Sequence, residues 1–327
     1  MNVSIRNYKS IRSLDFESRR VNVIIGEPNC GKTNVIEALS LFEPEVVRDF
    51  AVCLRASGSF SELFSNHDVG CPISVRLDGR GLQLSMSNRG DRVALSISSR
   101  NEREDASYVF SNGGKPQLIH DDSGEEGMAF VTCPFFFLDS VVFRGGSQWV
   151  LESPFGANLP SLLLADKASR EIASSLFEST GFKLQINVAE QSLAVSKSVD
   201  GLLFSFPFRS SSETLRRILF YRLALETHQN SILLFDEPEA NTFPLFTKLF
   251  AEQIAADDRG NTFFLTTHSP YLLGSLIEKT PKEELAVVLC HMENFETKAR
   301  VLNQAEVQSL LDLGADTFFN LDRLTEE

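Results

Sequence analysis

Residues 26–33, GEPNCGKT, satisfy G-x-x-x-x-G-K-[ST] at every fixed position, and that pattern leaves a chain few folds to adopt. Gly26 and Gly31 let the backbone curl until its N–H groups converge on phosphate oxygens. Lys32 can then reach the β- and γ-phosphates, and the Thr33 hydroxyl is a ligand for Mg²⁺. Such a loop works between a strand and a helix, and its flanks read as both. Residues 21–25 (VNVII) have the composition of a buried strand, and residues 34–42 carry the apolar spacing of a helix. The candidate binding set is therefore Gly26, Glu27, Pro28, Asn29, Cys30, Gly31, Lys32, Thr33 and Asn34, with a nucleoside triphosphate, ATP, and Mg²⁺ as the ligands. A glycine turn that binds nothing is the alternative, and it leaves the distant motifs below without a purpose. Cys30 sits where a helix N-terminus lowers a thiol pKa, although a small residue that merely fits there is the plainer reading.

A chain of 327 residues with 43% hydrophobic content is long enough for one large α/β domain or two modest ones. Its formal net charge of −13 excludes a generally basic nucleic-acid-binding surface, while a local basic groove stays compatible with it. The five cysteines are odd in number and never spaced C-x-x-C, so they support neither a disulfide framework nor a zinc site. A reducing, cytoplasmic setting is expected. No apolar run reaches the length of a membrane span and the N-terminus has no secretory h-region, so a soluble, unprocessed protein without membrane insertion is expected.

Along the chain, short strands lead into the phosphate loop. Alternating runs at 73–77, 82–86 and 93–97 then predict antiparallel strands. Residues 101–128 read as exposed loops or weak hairpins, and the apolar run 135–138 as a buried strand. Helical spacing follows over 159–178, and alternation returns at 184–195 and 202–208. No heptad run supports a coiled-coil arm. From 213 onward helix and strand alternate, as a parallel-sheet lobe does. The expected organisation is a single domain of two lobes: 1–150 with the phosphate loop and β-rich part, 151–212 as a helix-and-strand insertion, and 213–327 as the second lobe.

Three partner motifs lie in that second half. Residues 231–239 (SILLFDEPE) are an apolar strand ending in acids. Asp236 at such a strand end can hold Mg²⁺, and Glu237 beside it can polarise the attacking water as general base. An exposed acidic turn is the alternative. Ser212 reads as the N-cap of a helix whose free N–H groups make an anion site, or else as an ordinary cap without a ligand. His268 follows a further expected strand, 261–267. It is either a structural histidine or, at a strand end beside the acids, a sensor of the γ-phosphate that joins Glu237 and Lys32 as a catalytic residue. The 204 positions between Lys32 and Asp236 require an inserted lobe between them.

Together these residues resemble the ATP-binding-cassette ATPases of the RecF/SMC group, and most closely the OLD-type (overcoming lysogenisation defect) ATPase domains of defence and repair systems. The resemblance spans most of the chain. It rests on Tyr8-Lys9-Ser10-Ile11, the phosphate loop, residues 212–217 (SETLRR), 236–241 (DEPEAN), 266–270 (TTHSP) and 313–316 (LGAD). It implies an α/β fold of the ABC P-loop NTPase type, with a mixed or parallel core sheet and an antiparallel β-rich lobe. It further implies a head-to-tail homodimer that sandwiches two ATPs, Ser212 of one subunit opposing Lys32 of the other and Asn241 near the boundary, with hydrolysis releasing the dimer. The implied role is in DNA repair or antiviral defence, and the implied partner a nucleic acid or a separate nuclease or effector protein. Three departures stand out. The segment at Ser212 lacks paired glycines. The nearest glutamine-loop candidate, Gln148, reads equally as a surface loop residue. About 60 residues follow His268, too few for the nuclease domain that OLD enzymes carry, and residues 285–327 contain no acidic metal cluster, so any nuclease chemistry would come from a partner. A nucleotide-gated binding module with little hydrolysis is a competing function. So is the ATP-binding subunit of a transporter, which the β-rich insertion and the His-Ser-Pro stretch suit less well.

Overall fold

The computed structural model describes residues 1–55, 59–77, 80–86, 92–98, 104–111, 117–121 and 132–321. Its centre is a strand buried on both faces. The chain enters through the antiparallel pair β1 (Asn2–Tyr8) and β2 (Ile11–Glu17), then forms β3 (Val21–Gly26), every residue of which is buried. The helix α1 (Lys32–Ser40) starts two residues earlier than its apolar spacing indicates and stops at Ser40, with Leu41 and Phe42 packed fully inside beyond it. Short helices α2 (Pro44–Arg48) and α3 (Phe50–Cys53) follow.

Next come β4 (Ile73–Leu77), β5 (Arg80–Met86), β6 (Arg92–Ser98), β7 (Glu104–Ser111) and β8 (Gln117–Asp121), which with β1 and β2 form an antiparallel sheet ordered β2-β1-β4-β5-β6-β7-β8. Alternation in β4, β5 and β6 puts one face inward, as their sequences require. Of the stretch read as loops or weak hairpins, 104–111 and 117–121 pair as a hairpin, while 101–103, 112–116 and 122–128 lie outside the described residues.

The strand expected at 135–138 is shorter and earlier: β9 (Cys133–Phe135) pairs with the acidic strand, and Phe136 turns its N–H to the carbonyl of Pro154 instead. The helix expected over 159–178 is two helices, α4 (Leu159–Ala165) and α5 (Lys167–Glu178), because the Asp166 side chain accepts from the Ser169 N–H and caps the second. The strands β10 (Lys183–Asn187), β11 (Ser192–Val199) and β12 (Leu202–Pro207) form a small antiparallel sheet.

The remainder alternates as expected: α6 (Glu213–Thr227), β13 (Ile232–Phe235), α7 (Pro244–Ala255), β14 (Thr262–Thr266), α8 (Pro270–Lys279), β15 (Leu285–Glu293), β16 (Glu296–Val301) and α9 (Gln304–Leu313). These strands accept β3 between β14 and β15, giving a sheet ordered β16-β15-β3-β14-β13-β9 that is parallel except for β16 at its edge. Period-two alternation divides its side chains between two cores. Ile24, Leu234, Phe264 and Val288 join the core shared with α1 and the antiparallel sheet. Val23, Phe235, Leu265 and Val287 join the core under α6, α7 and α8. The carboxyl ends of β3, β13 and β14 therefore meet at one edge, where ligands bind in open α/β sheets.

Candidate nucleotide site

The phosphate loop leaves β3 in a geometry only glycine accepts. Gly31 has φ of +90°, and a Cβ there would lie 2.0 Å from the Thr297 hydroxyl oxygen of β16. The residues before the loop brace it. The hydroxyls of Ser10 and Thr297 lie 2.6 Å apart, and the Asn34 amide donates to Ser10 Oγ at 2.7 Å. Lys9 donates to the buried Glu37 carboxylate of α1 at 2.6 Å, and Tyr8 O–H reaches the same oxygen at 3.2 Å. The Tyr8-Lys9-Ser10 stretch is thus a buttress for the loop and its helix. Within the loop, Lys32 is 5% exposed and its Nζ donates to the carbonyls of Gly26 at 3.0 Å and Glu27 at 2.7 Å. Cys30 agrees with the plainer of its two readings, a small residue that fits: it is buried, and burial pushes its thiol pKa up despite the nearby Lys32.

Asp236, at the end of β13, brings the parts together. Its Oδ1 accepts from Thr33 Oγ1 at 3.1 Å and from Thr266 Oγ1, at the end of β14, at 2.6 Å. Its Oδ2 accepts from the Arg55 guanidinium at 2.7 Å. Glu237 follows with φ of +45°, an uncommon conformation for a residue with a side chain and one that recurs at functional sites. Thr266 Oγ1 fixes it by accepting the Glu237 N–H at 2.9 Å. His268 Nε2 lies 3.3 Å from Glu237 Oε1. The hydrogen bond from His268 holds the Glu237 carboxyl below the usual glutamate range, with help from the charges of Lys32 and Arg55 and against partial burial. A carboxylate kept ionised beside an imidazole can take a proton from water.

Local chemistry explains where His268 sits. Ser269 caps α8 by accepting the Leu272 N–H, Pro270 occupies the first turn, and His268 is left at the junction of strand and helix. Phe318 packs beside its ring, 6.0 Å between centroids, just past Gly314, which ends α9 with φ of +54°. Glu239 ties the junction down from behind: its Oε1 accepts from the Thr267 hydroxyl and from the His268 N–H. Thr33 and Asp236 present oxygen donors alone, the chemistry that suits Mg²⁺ held jointly with nucleotide phosphates. Among the described residues no group of three or more His, Cys, Asp or Glu stands ready to hold a metal by itself.

Lys32, Thr33, Asp236, Glu237 and His268 are therefore brought together at one edge. Ser212 is the N-cap residue of α6, as read, but it is exposed and its side chain makes no cap bond. The start of α6 is joined to the loop after β13 instead, with Thr214 Oγ1 donating to the Asn241 carbonyl and the Asn241 amide donating to Glu213 Oε1. Gln148 is not brought to the cluster. It is exposed and lines none of the cavity of about 120 Å³ beside Asp236, whose walls include Phe136, Phe137 and Leu138. Arg217 lies over the Phe137 ring, 4.5 Å from its centroid. Sequence reading missed Arg55 and Thr266 as functional neighbours. Thr266 was discoverable from its place two positions before His268, whereas Arg55 stands in no pattern at all.

Comparisons with known proteins agree with this geometry. A family model described as "AAA ATPase domain" matches residues 1–73, and one described as "AAA domain, putative AbiEii toxin, Type IV TA system" matches residues 156–274. Among solved structures, the SMC head bound to the C-winged helix domain of ScpA superposes with a TM-score of 0.52 at 14% identity, over 94% of this chain and 98% of that one. The Smc head with an extended coiled coil, bound to the C-terminal domain of ScpA and derived from Pyrococcus furiosus, gives 0.54 at 11% identity, over 95% and 98%. The fold is that of an SMC-head-like P-loop ATPase. The SMC head domain from Thermotoga maritima also matches, at 13% identity over 92% of this chain and 98% of that one, with a TM-score of 0.43. No curated protein matches the chain. The two AAA-type ATPase segments cover the phosphate loop and the α6-to-α8 region, and with the fold they support ATP binding and hydrolysis in general terms. No helix among the described residues is long and apolar enough to cross a membrane.

Proposed function

We propose that this chain binds MgATP and hydrolyses it to ADP and phosphate within a head-to-tail dimer, acting in DNA repair or antiviral defence with a nucleic-acid or nuclease partner, as OLD-type ATPases do. The observation that carries the reading is the meeting of Thr33, Asp236, Glu237 and His268 at the ends of three adjacent parallel strands. Lys32 and the loop N–H groups would hold the phosphates, and Thr33 with Asp236 would hold the Mg²⁺, whose contribution is to neutralise charge on the phosphate oxygens. Glu237 accepts a proton from the attacking water. His268 orients Glu237 and lies where it can donate to the γ-phosphate. The exposed, unused hydroxyl of Ser212 at a helix N-terminus supports its service to the nucleotide of the other subunit.

Replacing Glu237 with Gln tests this. The expected result is loss of phosphate release with an ATP-bound dimer trapped, as seen by size-exclusion chromatography, and undiminished release removes Glu237 from its role. A nucleotide-gated binding module is favoured by one observation: Arg55, two-thirds exposed, sits on Asp236, so a surface side chain must yield for Asp236 to engage another cation. On that reading the wild type and Glu237→Gln release their partner alike on nucleotide exchange.

A further inference from the structure

β15 runs parallel to β3 with Cys290 opposite Gly26, so residues 291–293 and the turn after them continue roughly 10 Å past the end of β3, on the edge where the phosphate loop lies. Residues paired across β15 and β16 share a face. Cys290 lies in the core shared with α1 and Ala299 packs against it, and the next pair on that face is Met292 and Thr297. Thr297 is buried, with its hydroxyl beside Gly31 and Ser10. Met292, 43% exposed, therefore lies on the phosphate-loop side of the hairpin. Phe295, two residues before Thr297, ends the row at the tip and is 94% exposed. Its identity is not explained locally. Asn294 and Phe295 have φ of +50° and +64°, the left-handed pair of a two-residue hairpin turn, in which asparagine is at home and glycine is preferred at the second place. A bulky ring at that place strains the turn and, standing in water, gains no packing in return. Side chains that break a local rule in this way mark functional positions.

We propose that Phe295, with Met292 beside it, is the platform on which the base of the bound nucleotide stacks. This placement rests on the nucleotide-binding reading above and adds to it the seat of the base. Asp236, Glu237 and His268, which mark the γ-phosphate end on that reading, follow β13 and β14 on one flank of β3, and the β15–β16 hairpin stands on the other flank. A nucleotide whose triphosphate crosses the phosphate loop toward Asp236 carries its base toward that hairpin. The hairpin is held in place there: the Thr297 N–H donates to the Ser10 carbonyl at 2.8 Å, tying β16 to the stretch that braces the loop. Glu293 and Glu296 flank the tip, so an anionic occupant such as a nucleic-acid backbone or an acidic lipid headgroup is repelled, whereas a neutral base presents a π-face that suits an aromatic ring.

The test uses the full chain and two probes, MgADP and magnesium tripolyphosphate, which offers the phosphates without a base. Phe295→Gly installs the residue the turn prefers, so its melting temperature should not fall. By isothermal titration calorimetry it should bind MgADP about tenfold more weakly, the scale of one lost base–aromatic stack, and tripolyphosphate within about twofold of the wild type. Phe295→Trp should keep MgADP affinity within about threefold, since a larger ring still stacks, and the fluorescence it adds over the wild type should be quenched by MgADP and not by tripolyphosphate. Wild-type MgADP affinity in Phe295→Gly, equal losses for the two probes, or Phe295→Trp emission indifferent to MgADP would each overturn the platform alone. A wild-type chain that binds neither probe overturns the nucleotide reading and the platform together, so the two failures are told apart, and neither measurement needs hydrolysis.

Discussion

Around Asp236 the polar atoms are matched inside the chain: Thr33, Thr266 and Arg55 all donate to its carboxylate, and Lys9 and Tyr8 hold Glu37 one layer beneath. At the start of α6 the reverse holds, since Ser212 is exposed and its hydroxyl caps nothing, although serine is a favoured cap residue. The contrast teaches where stability and function part company. Substitutions in the matched region disturb bonds the fold depends on, and substitutions at Ser212 disturb only what an external group would receive.

The sharpest attempt to break the comparison is Glu237→Gln, which lies in the matched region and yet is exposed enough to leave folding alone. Phosphate release should fall on the order of a thousandfold, within the span of a general base, with little change in melting temperature. Next is Lys9→Met. It leaves Glu37 buried without its cation, and at neutral pH should destabilise the chain by about 3–5 kcal/mol in denaturant unfolding. The sign of its pH dependence follows from Glu37, whose pKa burial already raises even with Lys9 present. The penalty is full above the raised folded-state pKa, shrinks as the pH falls through it, and is gone below the ordinary glutamate value, where folded and unfolded chains both carry the proton.

Ser212→Ala sharpens the other half. With no cap bond to lose, it should change stability by less than about 0.5 kcal/mol, compared with about 1 kcal/mol for a working cap. ATP-dependent dimer formation and turnover should nevertheless drop about tenfold, measured by sedimentation velocity and phosphate release, the size of loss expected for one phosphate contact. The smallest effect concerns pH. Glu237 is held below the ordinary glutamate range, so it stays ionised as the pH falls from about 7 to about 5, and turnover should vary by no more than about twofold over that interval.

Much of this was legible beforehand because its signals are local. The phosphate loop, the alternating strands at 73–97 and the Ser269-Pro270 start of α8 each depend on residues within one turn or one pleat of each other. Misreadings came where a local pattern met a tertiary competitor. The apolar run 135–138 looks like strand throughout, but Phe136 finds its backbone partner in Pro154 and Phe137 its packing partner in Arg217. Cys30, by contrast, admits two readings, and the core that closes over it agrees with the plainer one, a small residue that fits. Gln148 is exposed in its loop, which matches the reading of it as a surface residue.

By itself, then, the sequence determined a strand, phosphate loop and helix, an acid-ended strand and a His-ended strand, because backbone preference and apolar period are written over a few consecutive residues. Only the tertiary structure decided that β3 sits between β14 and β15, that Arg55 reaches Asp236 from 181 positions away, and that Glu239 holds the His268 junction with one oxygen while the other stays buried without a partner. Those are meetings of side chains carried by different elements. Sheet order and packing fix them, and no period along the chain records them.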